Sequence, residues 1–117
     1  MKGIVDMPVQ IYTSEETITA CLSGEIDHHS AKPIRLEIDE LTGRVEPSEL
    51  VLDFRDVSFM DSSGIGLVMG RYKIVNELGG SLEISGVPPQ INRVMRLAGL
   101  ERIATIKDGG TRHGTIK

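Results

Sequence analysis

Apolar and polar residues alternate in two short segments near the start of the chain, residues 9–12 and residues 17–24. Alternation with a period of two is typical of strands that bury one face. The residues between the two segments are Thr, Ser and Glu, which suit a hairpin connection. We therefore predict that the domain starts with a pair of antiparallel strands.

A helical period replaces this alternation after residue 27. Apolar residues then recur at spacings of three or four, which places them on one helical face: Ala31, Ile34, Ile38 and Leu41. Asp27 or Ser30 is available as the N-cap residue. Proline is tolerated in a first helical turn, so Pro33 is predicted to lie in the first turn of this helix.

An apolar strand at residues 50–54 leads through a polar turn at residues 61–64 into a second helix. The inward face of this helix is predicted to contain Ile65, Val68, Tyr72 and Val75, widened by Leu67, Ile74 and Leu78. Gly79 and Gly80 supply the left-handed backbone that ends many helices, so the helix is predicted to stop there.

A further strand is predicted at residues 81–85 and a last one at residues 103–106. Between them, a third helix starts at Pro88 and Pro89, ends at Gly99, and carries its apolar residues on one face: Ile91, Val94, Met95 and Ala98. Strands that are joined through helices usually become parallel neighbours. The predicted fold class is therefore α/β, a single domain over residues 1–106 with a mixed, mostly parallel sheet, an N-terminal hairpin and packed helices. Residues 107–117, rich in Gly, Thr and charge, are predicted to form an irregular tail.

The composition of the chain limits the kinds of partner and cellular location that we expect. The chain has 117 residues and a formal net charge of −4 with acids and bases interspersed, which favours neither nucleic acid nor an anionic membrane as partner. No apolar stretch approaches the ~20 residues that span a bilayer. The chain has one cysteine, Cys21, and no leader pattern before the first strand. We expect a cytoplasmic protein whose partner is another protein.

The turn formed by Asp61, Ser62, Ser63 and Gly64 is the main candidate for chemistry. Any of its three polar residues could cap the second helix, which is the ordinary role of such residues. The same position suits a regulatory serine, because the unpaired N–H groups and the helix dipole stabilise a phosphate locally. The residues alone leave both interpretations open.

Other site chemistries fit less well. A dinucleotide-binding loop would use the glycines that open the second helix, Gly64, Gly66 and Gly70. Such a site also needs an acidic residue at the end of the next strand to hold a ribose, and none is present there. A serine hydrolase elbow needs a glycine two residues before the nucleophile, and neither serine has one. The candidate bases for such a hydrolase, His28, His29 and His113, are not convincingly positioned, and no Cys or suitably spaced carboxylate cluster accompanies His28 and His29 to complete a metal site.

Two separated segments, residues 22–29 and residues 52–73, resemble the anti-sigma factor antagonists, the bacterial half of the STAS domain family. The second segment carries the Asp-Ser-Ser-Gly turn of that family at Asp61–Gly64, and the similarity extends over residues 4–106, in particular to the sporulation-type members. The family often ends in one more helix, whereas residues 105–110 show no helical pattern.

The resemblance implies a switch of binding partners without catalysis by this chain. The unphosphorylated protein would bind an anti-sigma factor that is also a serine kinase, which frees a sporulation sigma factor. That kinase would supply ATP and Mg and phosphorylate Ser62, with Ser63 as the second candidate. A PP2C-type phosphatase would restore the active form. A STAS-type phosphate- or nucleotide-binding signalling module is the alternative, and in either case we expect no cofactor, metal or enzyme activity in this chain.

The resemblance also implies where the partner binds. The contact surface is expected to combine the loop at residues 24–27, the turn at residues 61–64 and the first turns of the second helix. Leu67 could equally belong to the core, and Arg71 could pair with an acidic partner or be solvated. The expected contact residues are Gly24, Glu25, Asp27, Asp61, Ser62, Ser63, Gly64, Gly66, Leu67, Met69 and Arg71.

Overall fold

The structure is a computed structural model that describes residues 9–108. Strands and helices alternate after an initial hairpin, as the polarity pattern predicts. In chain order the elements are β1 Val9–Ser14, β2 Thr17–Ile26, α1 His28–Val45, β3 Glu49–Met60, α2 Ser62–Glu77, β4 Ser81–Val87, α3 Pro89–Leu97, a short 3-10 helix Leu100–Arg102, and β5 Thr105–Asp108.

The five strands form one sheet in the order β1-β2-β3-β4-β5. The β1 and β2 strands are antiparallel, with Val9 opposite Leu22 and Ser14 opposite Thr17. All other neighbouring pairs are parallel. The mixed, mostly parallel sheet with an N-terminal hairpin is therefore confirmed, and strands that follow one another in the chain are neighbours in the sheet.

The core lies where the sheet meets the helices. Every second residue of the first half of β3 is buried, namely Leu50, Leu52 and Phe54. In α1 the predicted inward residues Ile34 and Ile38 are completely buried. Because aromatic residues are scarce, aliphatic side chains fill nearly all of this core.

The inward face of α2 differs in part from the prediction. Val68 and Val75 are buried as expected, whereas Leu78 is 42% exposed because it lies beyond the last helical residue as the C-cap. The predicted end is confirmed: Gly79 has φ +82°, and its N–H donates to Asn76 O while that of Gly80 donates to Val75 O. On α3, Ile91 and Met95 are buried but Val94 is exposed; Ala98, also exposed, follows the last helical residue as the C-cap.

Two strands are longer than predicted. The β3 strand continues to Met60 although Arg55 and Asp56 interrupt its apolar pattern, because its second half pairs only with β2. The β2 strand correspondingly continues to Ile26, with register shifts near Ser23 and Gly24. Most of the segment predicted as a loop at residues 24–27 is therefore strand, and only Asp27 lies between β2 and α1.

Two boundary predictions are also corrected. Pro33 is the sixth residue of α1, so it lies in the second turn; its ring removes one N–H from the helix interior. The strand β5 extends to Asp108, two residues past the predicted domain boundary at residue 106. The remainder of the predicted tail, residues 109–117 with His113, lies outside the described residues.

Cys21 lies inside β2, opposite Gln10 and Asp53, and is partly buried. Burial raises the pKa of its thiol, and the charge of Asp53 adds to the increase. The thiolate is therefore disfavoured, consistent with a small strand residue.

Among the helices between residues 9 and 108, none combines the length and the apolar character that a membrane crossing requires.

Candidate functional site

The predicted site residues meet at the edge where the parallel strands β2 and β3 end. Ile26, the last residue of β2, lies opposite Met60, the last residue of β3. The N–H of Asp61 donates to Ile26 O at 3.2 Å, which ties the two strand ends together. The N-termini of α1 and α2 follow directly, so the two sequence segments that the site requires are adjacent in the fold.

The start of α1 is closed by a complete capping box. Asp27 is the N-cap, and its Oδ1 accepts hydrogen bonds from the N–H groups of His29 at 2.9 Å and Ser30 at 3.0 Å. Ser30 Oγ accepts from the Asp27 N–H at 3.0 Å and donates to Glu25 O at 2.8 Å. The N–H of Ser30, followed by that of His29, stabilises the carboxylate and lowers the pKa of Asp27.

The start of α2 is capped differently. Asp61 is the N-cap and its Oδ1 accepts from the Ser63 N–H at 2.8 Å, so neither serine hydroxyl caps the helix. Ser62 is the first helical residue, its side chain is exposed, and its hydroxyl has no hydrogen-bond partner within residues 9–108. Ser63 is partly buried. Of the two serines, Ser62 is therefore the one whose hydroxyl a second protein reaches more readily.

The glycines of the turn have different surroundings. Gly64 is buried, and a Cβ at this position would overlap Cγ and Sδ of Met60, so it allows α2 to pack closely on the end of β3. It has no side chain to offer a partner. Gly66 is exposed, and a Cβ there would have no neighbour within 4 Å.

The remaining predicted contact residues divide by exposure. Gly24 and Glu25 are exposed and Met69 is 51% exposed, so these three are accessible to a partner. Leu67 is only 4% exposed and belongs to the core. Arg71 is also 4% exposed, so the expectation that it pairs with a partner or is solvated is wrong.

Arg71 instead forms an ion pair within the chain. Its Nε lies 2.8 Å from Oδ1 of Asp39 on α1. Its buried Nη1 has no hydrogen-bond acceptor among residues 9–108. Burial lowers the pKa of Arg71 and raises that of Asp39, in each case outweighing the attraction between them.

A groove of about 530 Å³ runs between α1 and α2. One side carries the basic residues of α1, and Gly66, Leu67, Gly70 and Ser63 form much of the other: its lining is His28, Ala31, Lys32, Arg35, Ser63, Gly66, Leu67, Gly70 and Arg71. This groove was not predicted from the sequence. The spacing of His28, Lys32 and Arg35 along one face of α1 was the available signal.

The exposed position of Phe59 was also not predicted from the sequence. It lies opposite Glu25 in the β2–β3 pair and is 50% exposed. It is a large exposed apolar side chain at the end of β3 that leads into the Ser62 turn.

Two histidines lie at the start of α1, next to this site. His28 and His29 are exposed, with ring centroids 4.0 Å apart, and no third potential ligand joins them to form a metal-binding group within residues 9–108. The geometry instead presents a free hydroxyl, two capped helix ends and exposed apolar residues, which together suit binding of a protein.

Comparison with known proteins identifies the domain. The model of the STAS domain family matches residues 8–109. The chain is 40% identical to the anti-sigma F factor antagonist of Paenibacillus polymyxa over 87 residues, which cover 74% of each protein. It is 31% identical to the anti-sigma-B factor antagonist of Bacillus subtilis (strain 168) over 102 residues, which cover 87% of this chain and 92% of the relative.

Solved structures of anti-sigma factor antagonists have the same fold. The unphosphorylated anti-sigma factor antagonist SpoIIAA superposes with a TM-score of 0.75 and 30% identity over 84% of this chain and 86% of that one. The phosphorylated form of Bacillus SpoIIAA gives a TM-score of 0.69 and 27% identity over 93% and 99%. Sequence and fold lead to one conclusion: this chain belongs to the STAS domain family, among the anti-sigma factor antagonists.

Proposed function

We propose that the unphosphorylated chain binds an anti-sigma factor that is also a serine kinase and thereby releases a sporulation sigma factor. Phosphorylation of Ser62 by that kinase ends the interaction, and a PP2C-type phosphatase reverses it. The ATP and Mg for the transfer are bound by the kinase. The relationship to the sigma F antagonist supports the sporulation pathway, and the solved phosphorylated form of SpoIIAA supports control by phosphate.

The observation that carries this proposal is the free hydroxyl of Ser62. Asp61 already caps α2, so Ser62 is exposed and uncommitted at the first helical position. A kinase can therefore modify it without first breaking an interaction within residues 9–108. The helix dipole stabilises the product within the chain.

The phosphate acts differently across an interface. It adds about −1.5 to −2 charges beside Asp61 at an edge that also carries Glu25 and Asp27. A partner that packs against a neutral hydroxyl must then desolvate and accommodate this charge. Binding is expected to weaken far more than folding, so the switch needs no large conformational change.

Phosphate incorporation by the cognate anti-sigma kinase tests the assignment. Wild type, Ser62→Ala, Ser63→Ala and Ser58→Ala are incubated with kinase and ATP and then weighed by mass spectrometry. Ser58 is an exposed serine of β3 outside the turn, so Ser58→Ala is the matched control. Only Ser62→Ala is expected to remain unmodified. Loss of phosphate in Ser63→Ala, with retention in Ser62→Ala, would show that the acceptor is assigned to the wrong serine.

The electrostatic part of the switch has its own test. Ser62→Asp places a negative charge at the turn, and calorimetry is expected to show at least about tenfold weaker binding to the kinase. Ser81→Asp adds the same charge at the exposed start of β4, at the other end of the sheet, and should bind as wild type does. Equal affinity of Ser62→Asp and wild type would contradict the account based on charge.

A further inference from the structure

The ion pair between Arg71 on α2 and Asp39 on α1 is largely withdrawn from water. Arg71 is only 4% exposed, and its Nη1 has no acceptor among residues 9–108. For both groups the cost of burial outweighs their mutual attraction, so the pKa of Arg71 is lowered and that of Asp39 is raised. Well-packed apolar side chains of similar size would avoid this cost. Stability alone therefore does not account for the pair.

The pair lies at the far end of the groove between α1 and α2. The groove begins at Ser63, at the site edge, and reaches Arg71. Its α2 side includes Gly66 and Gly70, where a Cβ would have no neighbour within 4 Å, so side chains do not interlock there. Within residues 9–108, Arg71 and Asp39 form the only ion pair between the two helices. Apolar contacts are non-directional, whereas this pair holds two atoms at a set separation.

The distance from the pair to the modified serine makes the orientation of α2 important. Ser62 lies nine residues before Arg71, which corresponds to about 14 Å along an α-helix. A tilt of about 10° at Arg71 moves the start of the helix by about 2 Å over that distance. Misplacement of a reacting group by ~1 Å can lower a rate about 100-fold. An enzyme that acts on Ser62 is therefore sensitive to the angle of α2.

We propose that Arg71 and Asp39 are positioning residues for the phosphorylation of Ser62, because their ion pair fixes the orientation of α2 relative to α1. The Ser62 hydroxyl and the start of α1 are then presented to the kinase in one defined arrangement. This inference rests on the proposed function for the identity of the reaction. Neither residue is expected to touch the kinase; both act through the position of α2.

The decisive variant replaces both charges with apolar side chains, Asp39→Leu together with Arg71→Met. Chemical denaturation is expected to show that this paired variant is at least as stable as wild type. Its kcat/KM for phosphorylation of Ser62 by the cognate anti-sigma kinase is nevertheless expected to fall at least about tenfold. A pair that only held the fold together would not separate stability from activity in this way.

A surface ion pair provides the matched control. Glu40 and Arg44 are paired on α1 at 3.8 Å, with side chains 74% and 71% exposed. Glu40→Leu together with Arg44→Met removes the same kinds of charge, and kcat/KM should stay at the wild-type value. Arg71→Lys is the conservative variant: it keeps a positive charge that can pair with Asp39, and should retain most of the activity that the paired variant loses.

The orientation of the helices can be measured without a kinase. Residual dipolar couplings of the backbone amides in α1 and α2, recorded by nuclear magnetic resonance on the full chain, report the angle between the two helices. Wild type, the surface control and Arg71→Lys are expected to share one angle. The paired variant is expected to show a different angle, or couplings in α2 that are reduced by motion.

Each measurement can overturn the proposal. Wild-type couplings in the paired variant would do so, because the ion pair would then not orient α2. Changed couplings with wild-type kcat/KM would show that the kinase does not depend on that orientation, and a marked loss of stability would show that the pair serves the fold. If wild type itself is not phosphorylated at Ser62, the proposed function fails, and the couplings still decide whether the pair orients α2.

Discussion

The starts of α1 and α2 lie side by side at one edge of the sheet and use the same residue type as N-cap, yet they leave different groups free. At α1, Asp27 and Ser30 form a closed reciprocal box that also reaches Glu25 O. At α2, Asp61 caps the helix alone, and the third helical residue is Gly64 where α1 has Ser30. One helix start is closed, whereas the other exposes a serine hydroxyl.

The difference follows from packing. Gly64 faces Met60 and Ile26, the two residues that end the paired strands, and a Cβ at this position would overlap the Met60 side chain. The serine that a capping box at α2 would need at position 64 therefore has to displace Met60, and the cap is left to the Asp61 carboxylate. Ser62, two residues before Gly64, is the first helical residue and takes no part in the cap, so its hydroxyl stays free.

The largest effect is expected from placing the capping-box serine of α1 into α2. Gly64→Ser reproduces the spacing from Asp27 to Ser30, but its Cβ overlaps the Met60 side chain, so that side chain or the helix start has to shift. Overpacking of this kind costs about 1–3 kcal/mol. Chemical denaturation measures the loss in the free energy of unfolding.

Gly66→Ser is the matched control for that experiment. It makes the same substitution two residues further along α2, where a Cβ has no neighbour within 4 Å. We expect its stability to lie within about 0.5 kcal/mol of wild type. If Gly64→Ser proved as stable as Gly66→Ser, packing would not explain why α2 lacks the box.

Removal of the caps gives the next largest effect. Asp27→Ala frees two N–H groups and opens the box, whereas Asp61→Ala frees only that of Ser63. Asp61→Ala is expected to cost about 1 kcal/mol in the free energy of unfolding, and Asp27→Ala more. Equal losses for the two variants would show that the box adds nothing to a single cap.

The charge of Asp27 makes its contribution depend on pH. Because hydrogen bonds lower its pKa in the folded state, the carboxylate stabilises the fold above the usual Asp value of about 3.9 and loses that effect as the pH falls through the lower folded value. Asp27→Asn retains a capping oxygen without the charge. Wild type should be more stable than Asp27→Asn at pH 7, and the gap should close in acid. A gap that persists there would assign the effect to geometry instead of charge.

Elements whose periodicity is visible along the chain were predictable from the sequence. The hairpin, the three helices and the stop at Gly79 follow from polarity and backbone preference. The continuation of β3 past Arg55 was not predictable. The second half of β3 can carry polar residues because β4 ends at the level of Asp53 while β2 continues beside it. The length of one strand was therefore determined by its neighbours.

The site was predictable in location but not in the role of each residue. A strand end followed by a polar helix start identifies the turn, whereas choosing Asp61 among three capping candidates requires its backbone angles, φ −101° and ψ −165°. The burial of Arg71 depends on Asp39, which lies in another helix. A single sequence contains no signal for such a distant partner.

The smallest expected effect comes from comparing two serines at the same edge of the sheet, Ser30 and Ser62. Ser30→Ala removes a hydroxyl that makes hydrogen bonds to Asp27 and Glu25, and should cost about 1 kcal/mol in the free energy of unfolding. Ser62→Ala removes a hydroxyl with no partner in the described chain, from a position where alanine suits a helix. Its stability should lie within about 0.5 kcal/mol of wild type. A loss for Ser62→Ala as large as that for Ser30→Ala would mean that Ser62 has a structural role, and that its phosphorylation would disturb the fold as well as the interface.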